Sequence, residues 1–93
     1  MKVVNYKVPG GKMIKVKLSI NNQEIESISI LGDFFLHPEE MIEKIEEHLI
    51  GCIIDYESLV SRLEEIIIEN KAMLIGISTA DIAKAIQLAS ESD

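Results

Sequence analysis

The residues able to do chemistry stand in a few short stretches. "VPGGK" at 8–12 sets Lys12 behind the glycine pair Gly10-Gly11, a cation on flexible backbone of the kind that meets phosphate. The full "GxxxxGK[ST]" spacing is missing, and the segment that follows reads as a strand. No helix N-terminus therefore stands ready to hold an anion. A glycine turn is the default, with Lys12 left to meet a nucleotide presented by another protein. "GDFFLHPEE" at 32–40 holds both phenylalanines, Phe34 and Phe35, between Asp33 and His37. Asp33 follows a strand, where its carboxylate can fix a turn by accepting from backbone amides or point into a partner's site. His37 has no second histidine or cysteine at ligand spacing, so it reads as the start of a helix rather than a ligand. His48 reads as a partly exposed packing residue, and the many glutamates as a solvated helix face rather than acid–base pairs. Cys52 is the one cysteine. With no cation next to it in sequence, it reads as a buried or half-buried small residue.

These residues need elements to hold them. In "KMIKVKLSI" Ile14, Val16, Leu18 and Ile20 alternate with Met13, Lys15, Lys17 and Ser19, the period-two pattern of a strand with one buried face. "NNQ" marks a tight turn, and "EIESISIL" alternates again through Ile28 and Ile30, which predicts a β-hairpin. Val4, Tyr6 and Val8 predict a further N-terminal strand, joined to the hairpin through the glycine pair. From Pro38 the period changes. Met41, Ile42, Ile45, His48 and Leu49 recur at three- and four-residue spacing, with proline and acids suited to a first helical turn and Gly51 to end the helix. Asp55 is a plausible N-cap for a second helix burying Leu59, Val60, Leu63, Ile66 and Ile67. "LIGIS" reads as a short apolar connection. Ser78 and Asp81 have the spacing of a capping box for a third helix, with Ile82, Ile86 and Ala89 as its buried stripe. Strands followed by helices predict an α+β domain: an antiparallel sheet of two to three strands, the hairpin plus the N-terminal strand, with three helices packed on one face.

The totals agree with a single domain over residues 1–93. A chain of 93 residues buries about 60–68% of its unfolded surface. The amino end lacks the apolar stretch and small-residue cleavage site of a secretory signal, so the expected location is the cytoplasm. No apolar run is long enough to span a bilayer, and a lone thiol gives neither an intrachain disulfide nor a multi-thiolate metal site. A formal net charge of −7 argues against nucleic acid as a partner. The charge is uneven: Lys2, Lys7, Lys12, Lys15 and Lys17 precede the first acid, while acids crowd residues 39 to 69. A dipolar molecule of this kind suits docking to one partner.

"VPGGKMIKVKLSI", "IESISILGDFF", an acidic amphipathic helix ending in "LIG", and "GISTADIAKAI" together resemble the C-terminal accessory domain of lipoate–protein ligases. The likeness is greatest to the archaeal arrangement, in which that domain is a separate small chain. The resemblance implies a non-catalytic accessory subunit forming a heterodimer with a catalytic ligase subunit. That partner would bind ATP, Mg and lipoate, make lipoyl-adenylate and pass the lipoyl group to a lysine of a lipoyl-acceptor domain; this chain alone would bind no cofactor. Gly10, Gly11, Lys12, Asp33, Phe34 and Phe35 would face the partner or the adenylate pocket, one phenylalanine packing under the sheet and the other reaching the partner. Two alternatives stay open: a sulphur-acceptor protein using Cys52, and a plain interaction module dimerising through its helices.

Overall fold

The computed structural model describes residues 1–92. The alternating segments form an antiparallel sheet in the order β1 (Lys2–Lys7), β2 (Met13–Asn21), β3 (Glu24–Gly32). Its register puts Tyr6 against Ile14, Val4 against Val16, Val16 against Ile30 and Leu18 against Ile28. One-faced alternation is thereby turned into one buried face, on which Ile14, Val16 and Leu18 are 0% exposed. The hairpin turn uses left-handed backbone at Asn22 (φ 52°) and Gln23 (φ 66°), the geometry that matches strand twist. The N-terminal strand predicted from Val4 and Tyr6 is present as β1.

The helices are α1 (Met41–Leu49), α2 (Tyr56–Glu69) and α3 (Thr79–Glu91). On the buried side of the sheet, α3 lies against β1 and β2, α1 lies against β3, and α2 packs on α3 and α1. Of the predicted stripes, Met41, Ile45 and Leu49 of α1, Leu59, Leu63 and Ile66 of α2, and Ile82, Ile86 and Ala89 of α3 are buried, while Ile42, Val60 and Ile67 are only half-buried. Both predicted caps form. Asp55 accepts from the Ser58 amide at 3.0 Å, while the Asp81 amide donates to Ser78 Oγ at 3.2 Å and the Ser78 amide to Asp81 Oδ2 at 2.9 Å. Gly51, at φ +88°, follows the end of α1 as expected.

Two expectations change. "LIGIS" is not only a connection: β5 (Met73–Ile75) pairs antiparallel with β4 (Phe35–His37), matching Phe35 to Ile75, Leu36 to Leu74 and His37 to Met73. His37 is therefore a strand residue and does not begin the helix. Pairing with β5 keeps it extended, as does its place before proline. Pro38–Glu40 then make a turn, with the Met41 amide donating to the Pro38 carbonyl at 3.0 Å, before α1 starts. His48 is exposed, its Nδ1 lying 2.7 Å from the Lys44 carbonyl oxygen.

Some acids do more than face water. The outer edge of β3 is met first by the loop after α1, where the Ile25 amide donates to the Cys52 carbonyl at 2.9 Å and the Gly51 amide to the Ile25 carbonyl at 2.8 Å. Farther along, the Glu46 carboxylate accepts from the Ile30 amide at 2.8 Å. A carboxylate thus takes the bond that a neighbouring strand would otherwise supply. Glu64 accepts from the buried hydroxyl of Thr79 at 2.7 Å and ties α2 to the first turn of α3.

The sheet ends at a crowded point. A β-carbon on Gly32 would collide with the Met13 carbonyl oxygen and lie 2.9 Å from the Phe34 ring. Only glycine lets β3 run this close to β2 beneath that ring. Gly32→Ala is expected to cost about 1–3 kcal/mol, the usual range for overpacking a tight site, and to shift the Phe34 ring resonances; a urea midpoint and one proton spectrum check both. Leu63→Ala, at a site 0% exposed, is expected to cost about 2–5 kcal/mol in the same titration.

Candidate functional site

The glycine turn closes between β1 and β2. The Val8 amide donates to the Lys12 carbonyl at 2.7 Å and the Gly11 amide to the Val8 carbonyl at 3.0 Å. Gly10 and Gly11 take φ values of +104° and +121° with open space where a side chain would be. The turn presents Lys12 at the exposed end of the hairpin. At the same end of the sheet the Asp33 amide donates to the Met13 carbonyl at 3.1 Å. This corrects the expected turn chemistry: the main chain of Asp33 makes the bond, and its side chain is exposed.

The two phenylalanines divide. Phe34 is half-buried against the core with its ring over Gly32, whereas Phe35 is 69% exposed. The pairing of β4 with β5 explains the division. Leu36 and Leu74 lie on the face turned to the core, and Phe35, Ile75 and Met73 lie on the other, at 69%, 49% and 59% exposure. An apolar ridge is thereby presented outward. Beside it a shallow cleft of about 240 Å³ is lined by Leu31, Gly32, Phe34, Phe35, Glu39 and Ile42, among others.

What joins the glycine turn to the phenylalanines is Gly76, a residue the sequence analysis did not single out. It stands just after β5 at φ +99°, and a β-carbon on it would lie 3.4 Å from Lys12 Cε and 3.7 Å from Phe34 Cα. The aliphatic stem of Lys12 therefore lies across Gly76, next to the backbone of Phe34. Lys12, Phe34 and Gly76 meet at one corner, with Asp33 and Phe35 flanking it in the chain. The only signal for Gly76 in the sequence was a glycine ending a short apolar run, which marks a break in a strand without saying what approaches it.

Elsewhere, Cys52 is half-buried and its thiol donates to the His48 carbonyl at 3.6 Å, back toward the last turn of α1. It borders a broader, open concavity of about 650 Å³ along α2, whose rim carries the exposed Arg62–Glu65 pair at 3.3 Å. Asp55 and Ser58, also on that rim, are occupied with the helix cap. Among the described residues no three His, Cys, Asp or Glu side chains converge as a metal site, and no helix is long and apolar enough to cross a membrane. The Lys12 corner offers one cation, the exposed carboxylates of Asp33 and Glu39, and an apolar ridge, groups suited to contact with an anion and with a complementary surface.

A family model described as the bacterial lipoate protein ligase C-terminus matches residues 4–86. Lipoate-protein ligase A subunit 2 of Thermoplasma acidophilum is 39% identical over 51 residues, which is 55% of this chain and 53% of that protein. The aligned stretch thus spans about half the length of that relative. A solved chain from the archaeal lipoylation system of Thermoplasma acidophilum, comprising a bi-partite lipoate protein ligase and its E2 lipoyl domain, superposes with a TM-score of 0.76 at 27% identity, covering 90% of this chain and 91% of that one. The family match runs from within β1 to within α3 and takes in the whole Lys12 corner; the chain belongs to the bacterial lipoate protein ligase C-terminus family.

Proposed function

We propose that this chain is the non-catalytic accessory subunit of a two-chain lipoate–protein ligase. In this reading it joins a catalytic subunit to activate lipoate with ATP as lipoyl-adenylate, before the lipoyl group passes to a lysine of an acceptor domain. The observation that carries the reading is the reciprocal likeness to a chain of a bi-partite ligase, over 90% of one chain and 91% of the other. A small chain of the same extent and fold belongs to a ligase already divided in two.

The corner geometry supports a division of roles. ATP, Mg and lipoate belong to the catalytic subunit. Lys12, directed by its glycine turn and braced on Gly76, approaches the phosphates or an acidic group of the partner during adenylation. Phe35, with Ile75 and Met73 beside it, supplies apolar area to the contact; aromatic side chains are favoured at the centres of such interfaces. Asp33 stands at the rim, placed by its own backbone bond to Met13. This chain's part is to complete a pocket whose reacting groups are on the other subunit.

Pyrophosphate release on mixing ATP, lipoate and the two chains is the direct check. Each chain alone is expected to be inactive, and the mixture active. Full activity of the catalytic subunit alone would overturn the proposal. Lys12→Ala in the mixture is expected to slow lipoyl-adenylate formation roughly ten- to hundredfold, the scale of one lost charge-assisted hydrogen bond. Gly76→Ala is expected to destabilise the chain by about 1–3 kcal/mol, because a side chain is strained at φ +99° while the methyl itself, 3.4 Å from Lys12 Cε, makes only ordinary contact. The same loss is expected in a Lys12→Ala background, because the strain lies in the backbone of residue 76 and not in its contact with Lys12; urea midpoints of the single and double variants check it.

A further inference from the structure

The helices cover one face of the sheet and leave the other bare. On the bare face Val3, Lys17 and Ser29 form one row across the strands, Asn5, Lys15 and Leu31 the next, and Lys7 with Met13 the last. These rows carry three lysines and no acid, on a chain whose formal net charge is −7. The acids nearest these rows, Glu26 at the bulge and Glu24 opposite Asn21, stand toward the far hairpin end. Lys15 and Lys17 are half-buried, as long side chains are when their stems cover apolar surface and their charged heads stay in water. Among them Val3, Met13 and Leu31 remain 43%, 37% and 54% exposed.

This face runs into the Lys12 corner. Met13 follows Lys12 directly, and Leu31 shares the cleft with Phe34 and Phe35. Resting on the accessory-subunit reading, we infer that the bare sheet face is the main docking surface for the catalytic subunit, and that it meets an acidic patch there with an apolar centre. Charge selects the kind of partner: three lysines with no compensating acid need carboxylates opposite. A second copy meets that need poorly, since it brings the same three lysines and only Glu24 and Glu26, both at the far end of the face. The apolar side chains select the catalytic subunit over the acceptor. An acceptor domain must leave after every transfer, whereas lasting partners bury the more apolar surfaces.

The test is Lys15→Glu with Lys17→Glu, changes at solvent-reaching side chains outside the Lys12 corner, with folding checked by circular dichroism. Binding to the catalytic subunit is measured by calorimetry at low and high salt. Wild type is expected to bind more weakly as salt rises. The double variant should bind at least roughly tenfold more weakly at low salt, yet form lipoyl-adenylate at the wild-type rate once saturating. If the glutamate pair unfolds, Lys15→Gln with Lys17→Gln serves, with a smaller loss in the same direction. Unchanged affinity in a folded variant overturns this inference and leaves the accessory reading standing. A wild-type chain that neither binds the catalytic subunit nor supports lipoyl-adenylate formation overturns that reading itself.

Discussion

The carbonyl oxygen of Met13 occupies the space that any side chain at residue 32 would need. The same oxygen accepts the Asp33 amide, so one backbone bond both ends the hairpin and requires glycine beside it. Phe34 then folds its ring over the gap and fills it. With that ring fixed inward, the next residue on an extended chain must point outward, and Phe35 does. The outward ridge follows from this one close contact, and the β4–β5 pair and the approach of Lys12 to Gly76 are built beside it.

Much of the fold was legible because its signals are local. Alternation in "KMIKVKLSI" fixes which face of β2 is buried, and the spacings at Asp55 and Ser78–Asp81 mark helix starts within one turn of the chain. The β4–β5 pair was not legible. Three residues carry at most one and a half periods of alternation, and "FLH" lies between a glycine junction and a proline that both suggest other structure. Its partner "MLI" is distant in sequence, and pairing of that kind leaves no mark on either segment alone. For the same reason Lys12 and "GDFF" could each be singled out as candidates while their meeting at Gly76 could not be foreseen. Close approach to a glycine is a fact about the other residue's path.

The acids show a different limit. Read as a solvated face, they describe most of α1 and α2 correctly, since Glu43 and Glu47 of α1 and Glu57, Glu65 and Glu69 of α2 are exposed. Glu46 and Glu64 depart from that pattern in a purposeful way. Each reaches a polar group that the fold would leave short of a partner, the Ile30 amide at a sheet edge and the Thr79 hydroxyl at a helix junction. The wheel position of Glu46 gave no hint, because the edge it closes belongs to β3. A carboxylate on that edge also discourages a further strand from adding there.

The distribution of charge then follows from the division of faces. Helices that pack on one side of a sheet carry their polar residues outward, and here those residues are mostly acidic; the opposite side carries Lys7 of β1 and Lys15 and Lys17 of β2. A chain with net charge −7 could have spread its cations to neutralise nearby acids, yet the described salt bridges come to a single exposed Arg62–Glu65 pair. Exposed pairs of that kind add little to stability, so keeping Lys7, Lys15 and Lys17 apart from the acids sacrifices almost nothing in the folded chain. What it preserves is a field of one sign over an apolar sheet face beside Lys12. A fold alone does not specify a role. The feature that distinguishes this one is that Lys7, Lys12, Lys15 and Lys17, four of its nine cations, lie toward the exposed aromatic ring, arranged for a partner rather than for its own stability.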